Sequence, residues 1–299
     1  MWTQIQYALI YGWIKLHALL PMSVLYVLSD FLYFIVFRVI RYRVSVVRRN
    51  LKAAFPGKST KELLLLEKKF YHHFADYVVE TLKLAHISLE ELQKRAYIQN
   101  PELIDQLMDK GNPCCLLLMG HFGNWEWYSG STSRFKDACL YQIYRPLNNK
   151  AVDKLFIHLR TKFGSFGIPK NDTGREVVRL VRNKVRSAVI FLADQTPSPS
   201  NLHYWTNFLN QDTAILTGAE RLARKLNTPV VFLDVQMLER GYYTLEMQLI
   251  TDNPKETPEN WITEEYARRM EKSILRKPEG WLWTHKRWKY KRSDAVTHH

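Results

Sequence analysis

His121 and Glu126 stand in the run Gly120-His121-Phe122-Gly123-Asn124-Trp125-Glu126-Trp127, directly after an apolar stretch. A neutral imidazole can take a proton from a hydroxyl, and a carboxylate on its other nitrogen fixes the tautomer that does so, a step worth roughly 10²–10⁴ in rate. Spacing decides whether the two side chains can meet. On one helix they would point about 140° apart, because each residue turns roughly 100°. They can meet only if His121 sits in a turn and Glu126 in the first turns of a following helix. The flanking glycines permit such a turn.

The elements that must hold the pair follow from the apolar pattern. Residues 60–83 carry apolar side chains at helical spacing and predict a long amphipathic helix. From about residue 100 the pattern alternates. Strands are expected at 114–118, 140–144, 188–192, 230–235 and 243–249, and helices at 149–163, 174–184, 214–226 and 263–276. This predicts an α/β fold with a mixed central sheet flanked by helices. The loop Thr196-Pro197-Ser198-Pro199-Ser200-Asn201 follows directly on an expected strand, where α/β folds place ligands.

At the N-terminus, residues 16–37 form an apolar segment close to the length of a bilayer span, broken by Pro21 and Asp30. The cations Arg38, Arg41, Arg43, Arg48, Arg49 and Lys52 follow it in place of a cleavage site, and would hold the rest of the chain on the cytoplasmic side. Pro21 and Asp30 are costly in hydrocarbon, so a helix lying in the interface fits better than a buried or spanning one. We therefore expect a membrane-anchoring segment over 1–45 and a catalytic domain over 46–299. The chain has 299 residues, 46% of them hydrophobic, and a net charge of +14, which favours polyanionic partners: lipid headgroups, phosphorylated glycolipid, an acidic carrier protein or nucleic acid. Its three cysteines lack metal-ligand spacing and suit a reducing compartment.

His121-x4-Glu126, Tyr144-Arg145-Pro146, Ala193-Asp194-Gln195 and the run Trp281-Leu282-Trp283-Thr284-His285-Lys286-Arg287-Trp288-Lys289, in this order, make the chain resemble the late (secondary) acyltransferases of lipid A biosynthesis, of the lauroyl and myristoyl type. The similarity covers nearly the whole sequence, including the N-terminal apolar helix. It implies transfer of a fatty acyl group from acyl carrier protein to a hydroxyl of a glucosamine-based lipid at the cytoplasmic face of the bacterial inner membrane, without cofactor or metal. His121 would be the base and Glu126 its orienting partner. The resemblance also implicates Arg145 and Arg160, as oxyanion stabilisers or phosphate ligands. Asp194 would orient an arginine or cap a helix, and Gln195 would offer an amide to substrate. Two stretches depart from the family pattern, Leu147-Asn148-Asn149-Lys150 and the Pro/Ser-rich loop after Gln195, and both bear on the acceptor. Another membrane lipid, such as an aminolipid or lysophospholipid, is the alternative acceptor.

The aromatic and cationic run over 281–292 reads as a membrane-interface surface in preference to a nucleic-acid stacking platform. His72-His73 reads as surface or packing, since no carboxylate or cysteine stands at metal spacing. His298-His299 are set aside as a possible tag remnant. The sequence has no Gly-x-Ser-x-Gly elbow and no Walker-type loop, which disfavours the common serine hydrolases and P-loop enzymes. A catalytically inactive membrane-binding protein is the remaining alternative.

Overall fold

Seven strands form one sheet in the order β1-β9-β8-β2-β5-β3-β4. They are β1 (Ala96–Ile98), β2 (Cys114–Met119), β3 (Cys139–Tyr144), β4 (Phe166–Pro169), β5 (Ser187–Leu192), β8 (Val230–Glu239) and β9 (Tyr242–Thr251). All neighbours are parallel except β8 and β9, which form an antiparallel hairpin. This computed structural model describes residues 2–294, with the side chains of all but Ser131 and Thr132; His298-His299 lie outside the described residues. β2 is buried along its whole length, which explains its unbroken Cys-Cys-Leu-Leu-Leu-Met composition. Burial pushes the Cys114 thiol up to about 11 and leaves it unreactive.

Helices cover the sheet. Helix α4 (Thr60–Lys83) opens on a capping box in which Ser59 and Glu62 satisfy each other's backbone N–H groups. Asn149, in one of the departing stretches, accepts from the N–H groups of Ala151 and Val152 and so caps α7 (Lys150–Thr161). Helices α8 (Thr173–Arg182) and α10 (Trp261–Arg276) occupy expected positions. The helix expected over 214–226 is shorter. Residues Gln211–Ile215 instead form β7, paired antiparallel with β6 (Tyr204–Phe208), and α9 begins at Gly218. The hairpin turns on Leu209 and Asn210, both at positive φ, a turn that its glycine-free sequence does not advertise.

The N-terminal apolar segment is two helices. α1 (Trp2–Ala18) ends ahead of Pro21, and α2 (Met22–Tyr33) continues as a π-helical turn over Phe34–Val39. Residues Met22–Val39 are long and apolar enough to cross a membrane. α2 is nonetheless fastened to α4 and to the β8–β9 hairpin by polar bonds. Ser29 donates to Asp76 (2.6 Å), and Arg240 binds Asp30 (2.6 Å) and Asp76 (2.7 Å). Asp30 thus meets a guanidinium. The opposite faces, with Leu9, Trp13, Val27 and Phe31 among them, are exposed.

Tyr26 of α2 donates to Glu80 of α4 (3.0 Å), a fully buried carboxyl. Burial pushes Glu80 up from 4.5 to about 7, against the pull of hydrogen bonds from Asn124, Tyr243 and Tyr26. The folded chain therefore holds a proton here that the unfolded chain loses above 4.5, so this group's contribution to stability falls as pH rises between about 4.5 and about 7. Glu80→Gln, neutral throughout, should flatten that decline. Melting of both proteins in detergent at pH 5 and pH 8 checks it; parallel losses would contradict it.

Candidate active site

β2 and β5 are adjacent and parallel, with Met119 opposite Leu192. Two residues beyond each strand end, that register brings His121 beside Asp194. His121 Nδ1 lies 2.7 Å from Asp194 Oδ1, and the His121 backbone N–H donates to Asp194 Oδ2 (2.9 Å). The indole of Trp281 donates to the same Oδ2 (2.8 Å). Burial alone would raise Asp194, but the His121 imidazole and these N–H groups outweigh it and hold the carboxyl down at about 2. An ionised Asp194 accepts the Nδ1 proton and leaves Nε2 with a free lone pair, which accepts from the Gln195 amide (3.1 Å).

This corrects the expected pairing. Asp194, not Glu126, holds His121. Glu126 forms a two-pronged ion pair with Arg160 of α7, Oε2 to Nε at 2.7 Å and Oε1 to Nη2 at 2.5 Å. The backbone explains the exchange. Gly123 is at positive φ, and the chain then enters a 3₁₀ helix over Trp125–Arg134 rather than an α-helix. The tighter winding aims Glu126 at α7 while His121 stays over the sheet. Trp125 fills the space between, edge-on to the His121 ring at 5.0 Å and stacked on Tyr77 at 4.2 Å.

His121, Glu126, Arg145, Arg160 and Gln195 all line one cavity of about 410 Å³. Its walls are mixed, with Phe156, Ile157, Ile190, Leu192 and Leu282 among the apolar groups. Arg160 is largely buried, whereas Arg145 is exposed at the end of β3 and makes no ion pair among the described residues. Glu126 engages two of the five Arg160 N–H groups.

The C-terminal run turns its tryptophans and Arg287 inward, whereas Lys286, Lys289, Lys291 and Arg292 are exposed. Trp281 and Trp283 are 2% and 0% exposed. Each indole N–H has an internal acceptor: Asp194 for Trp281, the Pro278 carbonyl for Trp283 (2.7 Å) and Thr213 for Trp288 (2.7 Å). Arg287 is buried and donates to the Ala214 carbonyl (2.6 Å). Leu282 N–H donates to the His121 carbonyl (3.1 Å). Burial pushes His285 down to about 4, so it stays neutral and its Nε2 accepts from the Thr196 N–H (3.1 Å). The run therefore braces the turn at His121 and the loop after Asp194 from behind. Sequence reasoning missed Trp281 as a ligand of Asp194, for no spacing rule links positions so far apart.

His73 is buried, with its ring 6.4 Å from Tyr243, and His72 stacks on Tyr33 at 3.6 Å; both are packing residues.

The sequence model of the bacterial lipid A biosynthesis acyltransferase family matches residues 2–290. The chain belongs to that family. No curated protein matches the sequence. Membership in the lipid A biosynthesis acyltransferases gives the chain its chemical class, acyl transfer, and a membrane-associated setting in keeping with Met22–Val39.

Proposed function

We propose that the protein transfers a fatty acyl group from acyl carrier protein to a hydroxyl of a lipid A precursor at the cytoplasmic face of the inner membrane, with His121 as general base and Asp194 as its orienting carboxylate. The observation that carries this reading is the 2.7 Å contact of His121 with Asp194 at the ends of two adjacent strands, opening on a cavity that holds two arginines. The acceptor hydroxyl takes the place of the Gln195 amide at His121 Nε2. Its oxygen attacks the thioester carbonyl as its proton passes to Nε2. The resulting oxyanion is met by N–H groups of Arg160, which Glu126 holds in place. The carbon–sulfur bond then breaks, and the imidazolium returns the proton to the departing thiolate. The residues themselves supply each proton transfer, without cofactor.

Arg145, exposed at the cavity, suits the phosphate of an anionic acceptor. Arg145→Ala should raise KM for a phosphorylated acceptor about tenfold, roughly one charge-assisted hydrogen bond, with kcat nearly unchanged. Equal KM values in variant and wild type would contradict this. α1 and α2 would lie along the bilayer, their exposed apolar faces in the acyl region and the cations after Val39 among the headgroups. Residues 1–45 would then act as the anchoring segment of the 46–299 catalytic domain.

The test uses full-length protein in detergent, acyl carrier protein thioesters and a panel of acceptors: lipid A precursor, aminolipid and lysophospholipid. Acylated lipid A precursor from wild type, and none from His121→Ala, is the expected result. Transfer only to another acceptor would overturn the substrate, and equal activity in His121→Ala would overturn the mechanism.

A further inference from the structure

We propose that Glu80 is a positioning residue that ties the seat of α2 to the catalytic turn, so that how α2 lies on the domain sets the geometry at His121. The proposal rests on the reading of His121 as the catalytic base. Glu80 is 0% exposed in the last turn of α4 and gathers side chains from three other segments. Its Oε1 accepts from Tyr26 of α2 at 3.0 Å. Its Oε2 accepts from Asn124 Nδ2 at 2.9 Å and from the Tyr243 hydroxyl at 2.8 Å. The carbonyl of the same residue accepts from Trp127 Nε1 at 2.9 Å.

Asn124 lies between His121 and Glu126, and Trp127 directly follows Glu126. One residue of α4 therefore fixes the turn on both sides of Glu126. Asn124 is itself fully buried, so its amide depends on Glu80 for a partner. In a low-dielectric interior, loss of one partner leaves the others unsatisfied, and the group shifts together.

The α2 side of the network is shaped for the same hydroxyl. Gly241, in the β8–β9 turn at φ +78, has no Cβ, and one placed there would lie 1.7 Å from the Tyr26 hydroxyl. Arg240 stands 4.5 Å over the Tyr26 ring. A single carboxyl thus separates the apolar helix from the turn that bears the chemistry, and a displacement near 1 Å at such a turn can cost about 10²-fold in rate.

The experiment measures kcat and KM for the acyl donor with full-length protein, together with the melting temperature. Its variants are Tyr26→Phe, Glu80→Gln, Glu80→Ala and the double variant Tyr26→Phe/Glu80→Ala. Glu80→Ala should lower kcat by about 10–100-fold, within the range expected for a misplaced catalytic group, and leave KM within about twofold. Glu80→Gln keeps an acceptor oxygen for Asn124 and Tyr243 and presents its NH₂ to the Tyr26 hydroxyl, which then accepts in place of donating, so it should restore kcat to within about threefold of wild type. Tyr26→Phe should lower kcat by about 3–10-fold, and the double variant should match Glu80→Ala alone, because both act through one network. Wild-type kcat in folded Tyr26→Phe, or multiplied losses in the double variant, would overturn the coupling. If Glu80→Ala does not fold, Tyr26→Phe alone decides. A wild type without acyl transfer, or an active His121→Ala, would instead defeat the underlying reading of the site.

Discussion

Asp194→Asn should lower kcat by about 10⁴-fold, the scale of loss when a catalytic imidazole is held in the wrong tautomer. The local hydrogen bonds dictate that outcome. Two N–H donors, the His121 backbone and the Trp281 indole, point at the Oδ2 position. An asparagine must place its oxygen there and its NH₂ against His121 Nδ1. The imidazole then becomes the acceptor at Nδ1 and carries its proton on Nε2, where it can no longer receive one from a hydroxyl. Shape is conserved, so circular dichroism and KM should change little. A loss smaller than about tenfold would show that Asp194 does not set the tautomer.

Glu126→Ala should cost activity and stability together. It leaves the guanidinium of Arg160, whose side chain is only 25% exposed, without its anion. Removing one partner of such a pair costs about 3–5 kcal/mol, whereas replacing both by apolar groups of similar size is close to neutral. The double variant Glu126→Leu/Arg160→Met should therefore recover most of the melting temperature and none of the activity. A carboxylate that served only to orient His121 would give the opposite pattern. Its loss would abolish transfer with little change in melting, and substitution at Arg160 would rescue nothing.

These two carboxylates mark how far the sequence can be read. The five long strands and α4, α7, α8 and α10 were legible, because each carries enough apolar residues at one period to declare itself. The short edge strands β1 and β4 have three and four residues, too few for any pattern. The β6–β7 hairpin was hidden by a turn without glycine. His121, Glu126, Arg145, Arg160 and Gln195 were all drawn to one cavity, but which carboxylate meets the imidazole depends on strand adjacency. A signal was present: Met119-Gly120-His121 and Leu192-Ala193-Asp194 each place a titratable residue two positions past an apolar strand. If the strands are neighbours in register, those residues must touch. Adjacency is a property of the sheet order, which periodicity does not encode. The C-terminal tryptophans show the same limit, since aromatic and cationic alternation suits a membrane surface or a brace behind the site, and only burial separates the two.

The most direct test of the account is a double-mutant cycle on kcat between His121 and its two candidate carboxylates. If Asp194 acts only through His121, the double variant His121→Ala/Asp194→Asn should transfer acyl groups at the residual rate of His121→Ala alone. His121→Ala/Glu126→Ala should be slower than His121→Ala, because Glu126 acts through Arg160. The reverse result, multiplied losses with Asp194 and none with Glu126, would contradict the His121–Asp194 assignment.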